Sequence, residues 1–349
     1  MRKTLFTAMA VLMTLILMTA SRPQSDVRTI YAGIAFYNLE NLFDTIDDPR
    51  TLDEDYTPKG SMHWGALQYT HKQQNMASVL SKLCTDRVKG GAAFIGLAEV
   101  ENAGVLEDLC NQPSMKEKGF KYIHYDGEDG RGIDCAALYN PLMFKPKHSE
   151  LIPAKGYREA TGDRRTRGVL HVEGSLLGEH FHFLVNHWPS RAHESLAREF
   201  LGSLVREIVD SIQQVEPTAR IVIMGDLNDD PDSKSLTKAL GVKLNRKNIT
   251  SDKDLYNPWN DILRKKGQGT LLYEGMWNLF DQILFTANLL DDNRSSFTFF
   301  KNEIFRPEWM TMTYGKLKGA PKRTTSAGVW QDGYSDHFPT QIYLVKEVK

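Results

Sequence analysis

The sequence predicts a mixed α/β fold in which mixed sheets are flanked by helices. Strand-like runs outnumber helical ones. Several of them follow one another at hairpin spacing, while a few are separated by helical stretches, a combination that builds mixed sheets under helices. Two runs, Ala92–Ala98 and Ile221–Met224, are continuously apolar, the mark of strands covered on both faces.

Along the chain, Thr29 to Tyr37 is rich in β-formers and reads as a first strand. Residues 44–64 are polar and carry two proline turns, so they form a long loop. Met76, Val79, Leu80 and Leu83 have helical spacing within a helix expected over Leu67–Leu83. The buried strand Ala92–Ala98 runs directly into Glu99, and Asn102 can cap a short helix through Leu109. Tyr122–Tyr125, Cys135–Tyr139, Val169–Val172 and Phe181–Val185 come next as strands. A helix from Ala192 to about Val215 sets Phe200, Leu204, Ile208 and Ile212 on one face. After the strand Ile221–Met224 come a short helix over 232–241 and strands at Gln282–Thr286, Phe297–Phe300 and Gln341–Val345. Residues 306–333 are irregular and rich in Lys, Gly and Thr, a length of loop that often marks function.

Arg2 and Lys3 precede an apolar run from Leu5 to Met18, and Thr19-Ala20 offers small residues for cleavage. This pattern predicts a signal peptide over 1–20, a single domain over 26–349, and export to a periplasmic or extracellular compartment. Arg2 and Lys3 are the only charged residues of the first twenty. Without them 41 basic side chains face 44 acidic ones. That balance excludes a protein held on nucleic acid by bulk positive charge, since such binding rests on phosphate neutralisation. Cys84, Cys110 and Cys135 are an odd set, so at least one thiol is free, and no zinc-type CxxC or HExxH spacing occurs.

Chemistry concentrates at strand ends. In Gly225-Asp226-Leu227-Asn228 the glycine gives a tight exit, and Asp226 and Asn228 project to one side, a carboxylate and an amide placed for a hard cation and a phosphoryl oxygen. Glu99 ends a buried strand as a carboxylate suited to a metal, and Asn38 is an amide at the end of the first strand. Ser335-Asp336-His337 supplies an imidazole beside a carboxylate, able to act as a base or to stabilise charge. Asn186-His187 supplies a second imidazole, and Asp281 and Asp134 are the carboxylates available to orient the rings. Each segment alone has a plainer reading as turn chemistry or strand termination. Arg131, Arg191 and the cluster Arg164, Arg165 and Arg167 could hold phosphate oxygens, or could be a solvated face.

Taken together and in this order, the segments from Asn38 to His337 resemble the endonuclease/exonuclease/phosphatase superfamily, the deoxyribonuclease-I-like fold. The resemblance implies a four-layer α/β/β/α sandwich of two packed, mostly antiparallel sheets. It implies Mg²⁺, with Mn²⁺ or Ca²⁺ as alternatives, and in-line attack of water on a phosphate ester. It makes Glu99 the main metal carboxylate, with Asn38 and Asp336 in support. Asp226 and Asn228 position water and phosphate, His337 is base or charge stabiliser, and His187 meets the scissile phosphate; Asn186, next to it, is expected with Arg131 and Arg191 to bind substrate. Asp281 orients one histidine and Asp134 the other. Ala98 stands where one common version of the motif has Gln before the metal Glu. Nucleic acid leads the expected substrates, with inositol phosphates, sugar phosphates and sphingomyelin-like lipids as alternatives, and a non-catalytic binding protein on the same scaffold ranks below. No stable protein partner is implied, and contact with a membrane stays open.

Overall fold

The computed structural model describes residues 27–348 apart from residue 164, so the expected leader and one arginine of the cluster lie outside the described residues. The strands are β1 (Arg28–Leu42), β2 (Phe94–Val100), β3 (Lys121–His124), β4 (Asp134–Tyr139), β5 (Phe144–Ile152), β6 (Val169–Leu176), β7 (Glu179–His187), β8 (Ile221–Asp226), β9 (Leu255–Tyr256), β10 (Leu271–Tyr273), β11 (Met276–Asn278), β12 (Asp281–Thr286), β13 (Thr298–Ile304), β14 (Thr325–Ser326), β15 (Val329–Trp330) and β16 (Thr340–Val348). The principal helices are α1 (Ala66–Leu80), α2 (Ala103–Asn111), α3 (Pro113–Lys118), α4 (Tyr157–Thr161) and α5 (Ser195–Val215).

Two six-stranded sheets form, ordered β13-β16-β1-β2-β4-β3 and β5-β6-β7-β8-β12-β9. Among the described residues, β1–β2 and β7–β8 are the strand pairs within them that run parallel. Period-2 alternation explains the layers. Phe36 and Phe94 face the other sheet, where Phe94 stacks on Phe183 with ring centres 4.0 Å apart. Tyr37, Ile95 and Leu97 face the opposite way, onto Leu80 of α1 and Leu106 of α2. Leu184 and Ile223 of the second sheet pack on Leu201 and Val205 of α5. Three apolar seams thus separate four layers, as expected of the sandwich. The long apolar strands read as doubly covered because they are.

The sequence gives no signal for β5. It is an edge strand with Lys145, Pro146 and Lys147 exposed, and charge and proline of this kind, which guard an exposed sheet edge, leave no apolar pattern. The irregular stretch 306–333 holds a single 3-10 turn at Glu308–Met310, an isolated bridge between Thr311 and Pro321, and the small β14–β15 hairpin among its described residues. Cys84, Cys110 and Cys135 are all free thiols.

Two parallel strand ends deliver the site. His187 pairs with Asp226, and Asn186 with Gly225. A Cβ placed on Gly225 would lie 2.3 Å from the Asn186 carbonyl oxygen, a backbone atom that cannot swing aside. Gly225→Ala is therefore expected to destabilise the fold by about 1–3 kcal/mol, read as a lowered urea midpoint; an unchanged midpoint would show that these strands can spread.

Candidate active site

Glu99 sits at a bulge. The register of β2 shifts between Ala98 and Val100, and that of β1 between Asn38 and Leu42. Glu40, Asn41, Glu99 and Asn228 all adopt positive φ, between 49° and 63°. Left-handed backbone at non-glycine residues costs of order 1–3 kcal/mol each and gathers where surrounding structure enforces it. Here it turns carboxylates inward. The Asn41 N–H donates to Glu99 Oε2 at 2.9 Å. Asn38 Nδ2 donates to Glu99 Oε1 at 3.2 Å and to Asp226 Oδ2 at 3.0 Å, joining the ends of β1, β2 and β8.

Two imidazoles flank this knot. His187 Nε2 is 3.8 Å from both Glu99 Oε1 and Asp226 Oδ2. His337 Nε2 is 3.7 Å from Asp226 Oδ2, and its Nδ1 meets Asp281 Oδ2 at 2.6 Å. Ser335 anchors the last loop by donating to the Asn38 carbonyl at 2.7 Å and accepting the His337 N–H at 3.1 Å. Asn228 donates its side-chain amide to the Trp188 carbonyl at 2.9 Å, and its N–H reaches Asp226 Oδ1 at 3.0 Å. A cavity of about 790 Å³ is lined by Glu99, His187, Asp226, Asn228, Asp336 and His337, with Arg131, Arg165, Arg167 and Arg191 on its walls.

The two rings differ in charge. Burial and then Arg167, Arg131 and His337 hold His187 well below the usual imidazole range, so it is neutral. For His337 burial opposes the proton, but Asp281, Asp336 and Asp226 outweigh it and raise the ring well above that range. Burial raises Asp226 to about 7, with His337 pulling down and Asp281 pushing up. One cationic ring, one neutral ring and a carboxylate near neutrality can share protons with a reacting oxygen.

Three expectations need correction. Asp134 does not orient His187: at the head of β4 it accepts from His124 at 3.2 Å and from the Gly127 N–H at 3.0 Å. His187 Nδ1 is buried without a partner, and the residue is held instead through its carbonyl, which accepts from Arg167 Nε at 3.0 Å. Asn186 faces away from the cavity, donating to the Leu184 and Met224 carbonyls and accepting from Trp188 Nε1 at 3.2 Å. Neighbours on a strand point to opposite faces, so Asn186 had to turn away if His187 turned in. Asn38 shows its nitrogen, not its oxygen, to the carboxylates; the oxygen accepts the Glu40 N–H at 2.9 Å.

The arginines are already engaged. Arg191 bonds Asn278 and Asp230 and lies over the Phe280 ring at 4.4 Å. Arg131 lies 3.6 Å from Asp129, and Arg165 lies 3.4 Å from Glu128.

A further acidic group, with no role in the sequence reading, borders the site. Glu40 is buried and accepts from the Thr324 N–H at 2.6 Å and from Arg323 Nε at 3.3 Å. Arg323 also meets Asp336 at 3.0 Å, so the irregular loop is clamped to β1 beside the site. Buried Lys72 completes the clamp by donating to the Leu39 and Tyr334 carbonyls and to the Thr324 hydroxyl. Glu40 was within reach of the sequence, two residues beyond Asn38 at a strand end. Lys72 was not, because nothing local distinguishes it from an exposed helical lysine.

Glu40, Glu99, Asp226, Asp281 and Asp336 gather around Lys72, Arg323 and His337, while the arginines on the cavity walls are paired with other carboxylates, Arg131 and Arg167 with Asp129, Arg165 with Glu128 and Arg191 with Asp230. This excess of oxygen donors fits a hard divalent cation, with Glu99 and Asp336 facing the cavity.

A model of the endonuclease/exonuclease/phosphatase family matches residues 33–346. No curated protein matches this chain. Among solved structures, a family protein from Bacteroides thetaiotaomicron aligns with TM-score 0.53 at 17% identity, over 92% of this chain and 97% of that one. A B. thetaiotaomicron mannosyl-6-phosphatase aligns with TM-score 0.52 at 16% identity, over 91% and 100%. D. rerio TDP2 complexed with single-strand DNA product aligns with TM-score 0.53 at 13% identity, over 90% and 98%. At these identities the structures establish a shared fold, and with the match over nearly all of the described chain, the protein belongs to the endonuclease/exonuclease/phosphatase family, whose members are phosphoesterases.

Proposed function

We propose that this phosphoesterase depends on a divalent metal, attacks its ester with water in line with the leaving oxygen, and is exported by its N-terminal segment. The observation that carries the catalytic reading is the convergence of Glu99, Asp226, His187 and the Asp281–His337 pair on one cavity, from five separate stretches of chain. A magnesium-type ion held by Glu99 and Asp336 would neutralise charge on the phosphoryl oxygens. Asp226 takes the proton of the attacking water, with the Asn228 N–H fixing the carboxylate. Protonated His337, held by Asp281, stabilises negative charge on the phosphoryl group. Neutral His187 offers a hydrogen bond at Nε2.

The surface favours a small polyhydroxyl phosphate over nucleic acid. A groove of about 830 Å³ shares Asp129, Gly130 and Arg165 with the cavity and is lined by Asp44, Asp47, Asp48, Glu101, Asp126 and Glu128. A polyanionic backbone would be repelled there, whereas sugar or inositol hydroxyls can donate to those carboxylates.

Glu99→Gln removes a direct ligand. It is expected to raise the Mg²⁺ concentration for half-maximal activity by more than the roughly 10–100-fold that outer partners cost, measured by metal titration after chelation. A panel of sugar phosphates, inositol phosphates, bis-nitrophenyl phosphate, plasmid DNA and sphingomyelin tests the substrate. Faster turnover of DNA than of the phosphomonoesters would overturn the polyol reading alone. Silence on every substrate with both Mg²⁺ and Mn²⁺ would overturn the enzymatic one.

A further inference from the structure

We propose that the outer face of the second sheet carries a zinc-type metal site built from His171, Glu173, His182 and His180, separate from the catalytic cavity. Sequence spacing hid it, because the ligands come from two strands. β6 and β7 pair so that Glu173 lies directly opposite His182, with His171 two residues away on β6 and His180 two residues away on β7. All four side chains therefore share one face. Counting from His182 to His187 along β7, the cluster lies about 16 Å from the catalytic imidazole.

The inner atoms converge. His171 Nε2 and His182 Nδ1 are 3.0 Å apart, and His182 Nδ1 lies 3.8 Å from Glu173 Oε2. His180 Nε2 is 4.0 Å from the same oxygen and is buried without a hydrogen-bond partner. Lys147 lies 3.7 Å from the other oxygen, Oε1, leaving Oε2 to point inward.

The outer atoms are arranged as metal-binding histidines usually are. His171 Nδ1 lies 3.2 Å from Glu150 Oε1. His180 Nδ1 and His182 Nε2 lie 3.0 Å and 3.3 Å from Glu216 Oε2, at the end of α5. Every imidazole thus places its far nitrogen on a carboxylate, which fixes its orientation and makes the near nitrogen more basic. His171, Glu173 and His182 each offer a ligand atom within 4.8 Å of the others, His180 would complete the set as a fourth ligand, and three imidazoles with one carboxylate suit zinc or a neighbouring first-row ion rather than magnesium. Such an ion would pin β6, β7 and, through Glu216, the end of α5.

The test is equilibrium dialysis of the full chain against ZnCl₂ after chelation, in excess MgCl₂, with metal analysis and thermal unfolding. One retained zinc and a raised Tm are expected, in the wild type and equally in Glu99→Gln. His182→Gln should lose both. Should His182→Gln fold poorly, the less buried His180→Gln and Glu173→Gln serve instead, each weakening zinc at least about tenfold while leaving the zinc-free Tm in place. Absence of bound zinc in the wild type, or equal binding by all three variants, overturns the proposal.

Discussion

Asp226→Asn is expected to lower kcat by about a thousandfold or more, since a positioned proton acceptor contributes roughly 10²–10⁴ and this carboxylate also orders its neighbours. In the native site both oxygens are used, Oδ1 by the Asn228 N–H and Oδ2 by Asn38 Nδ2. An asparagine has one oxygen and can satisfy only one of these donors. It also cannot take a proton from water. The strand around it is unchanged, because Asp226 ends β8 with its backbone paired to His187 and Asp281. Near-UV circular dichroism and Tm should therefore stay close to wild type while turnover collapses, and His337→Gln should show the same pattern. A rate within tenfold of wild type for Asp226→Asn would remove Asp226 from the chemistry, and normal rates in both variants would remove the whole assignment.

How legible a feature is in the sequence depends on how local its determinant is. Ala92–Ala98 and Ile221–Met224 are apolar throughout because one face meets the other sheet and the opposite face meets helices. Asp226 and Asn228 are legible for the same reason, since an apolar strand with a glycine exit sets the direction of the next few side chains. The resemblance implies that Asp281 orients one of the two histidines, but not which one, since Asp281 and His337 meet across 56 positions of sequence that no periodicity connects. Asp134 was misplaced because its partner depends on register: it heads β4 where β2 bulges, beside His124 of β3. Glu40 is open to suspicion from its place two residues beyond Asn38, but its direction is not legible, because it lies in a left-handed stretch of β1 where strand alternation ceases to hold. The histidines of β6 and β7 carry no motif because their spacing is written across two strands. For Asp134 and for the histidines of β6 and β7 the missing information is a pairing register, a property of distant segments.

Lys72→Met is expected to destabilise the protein by about 3–5 kcal/mol, the range for breaking a buried charged contact by removing one partner. Lys72 is 1% exposed and bonds the Leu39 carbonyl, the Thr324 hydroxyl and the Tyr334 carbonyl. Methionine fills the same space but takes the lysine donor from the Leu39 carbonyl and leaves the Tyr334 carbonyl with the Thr324 hydroxyl alone, and it leaves buried Glu40 with Arg323 as its nearest cation. The lysine also carries a cost. Burial lowers it to about 8, against Glu40, Asp336 and Glu99, which raise it. Its pKa in the folded state is thus below the roughly 10.4 of an unfolded chain. Between those values the unfolded state binds more protons, so this group makes stability rise as pH rises from about 8 to about 10.4. Methionine does not titrate. The gap in unfolding free energy between wild type and Lys72→Met should consequently widen from pH 7 to pH 10, as measured by urea unfolding at both. A gap that narrows would mean that the amine is more stably charged inside the fold than outside it, and that the clamp between β1 and the 323–336 loop rests on the ion pair with Glu40 rather than on the three hydrogen bonds.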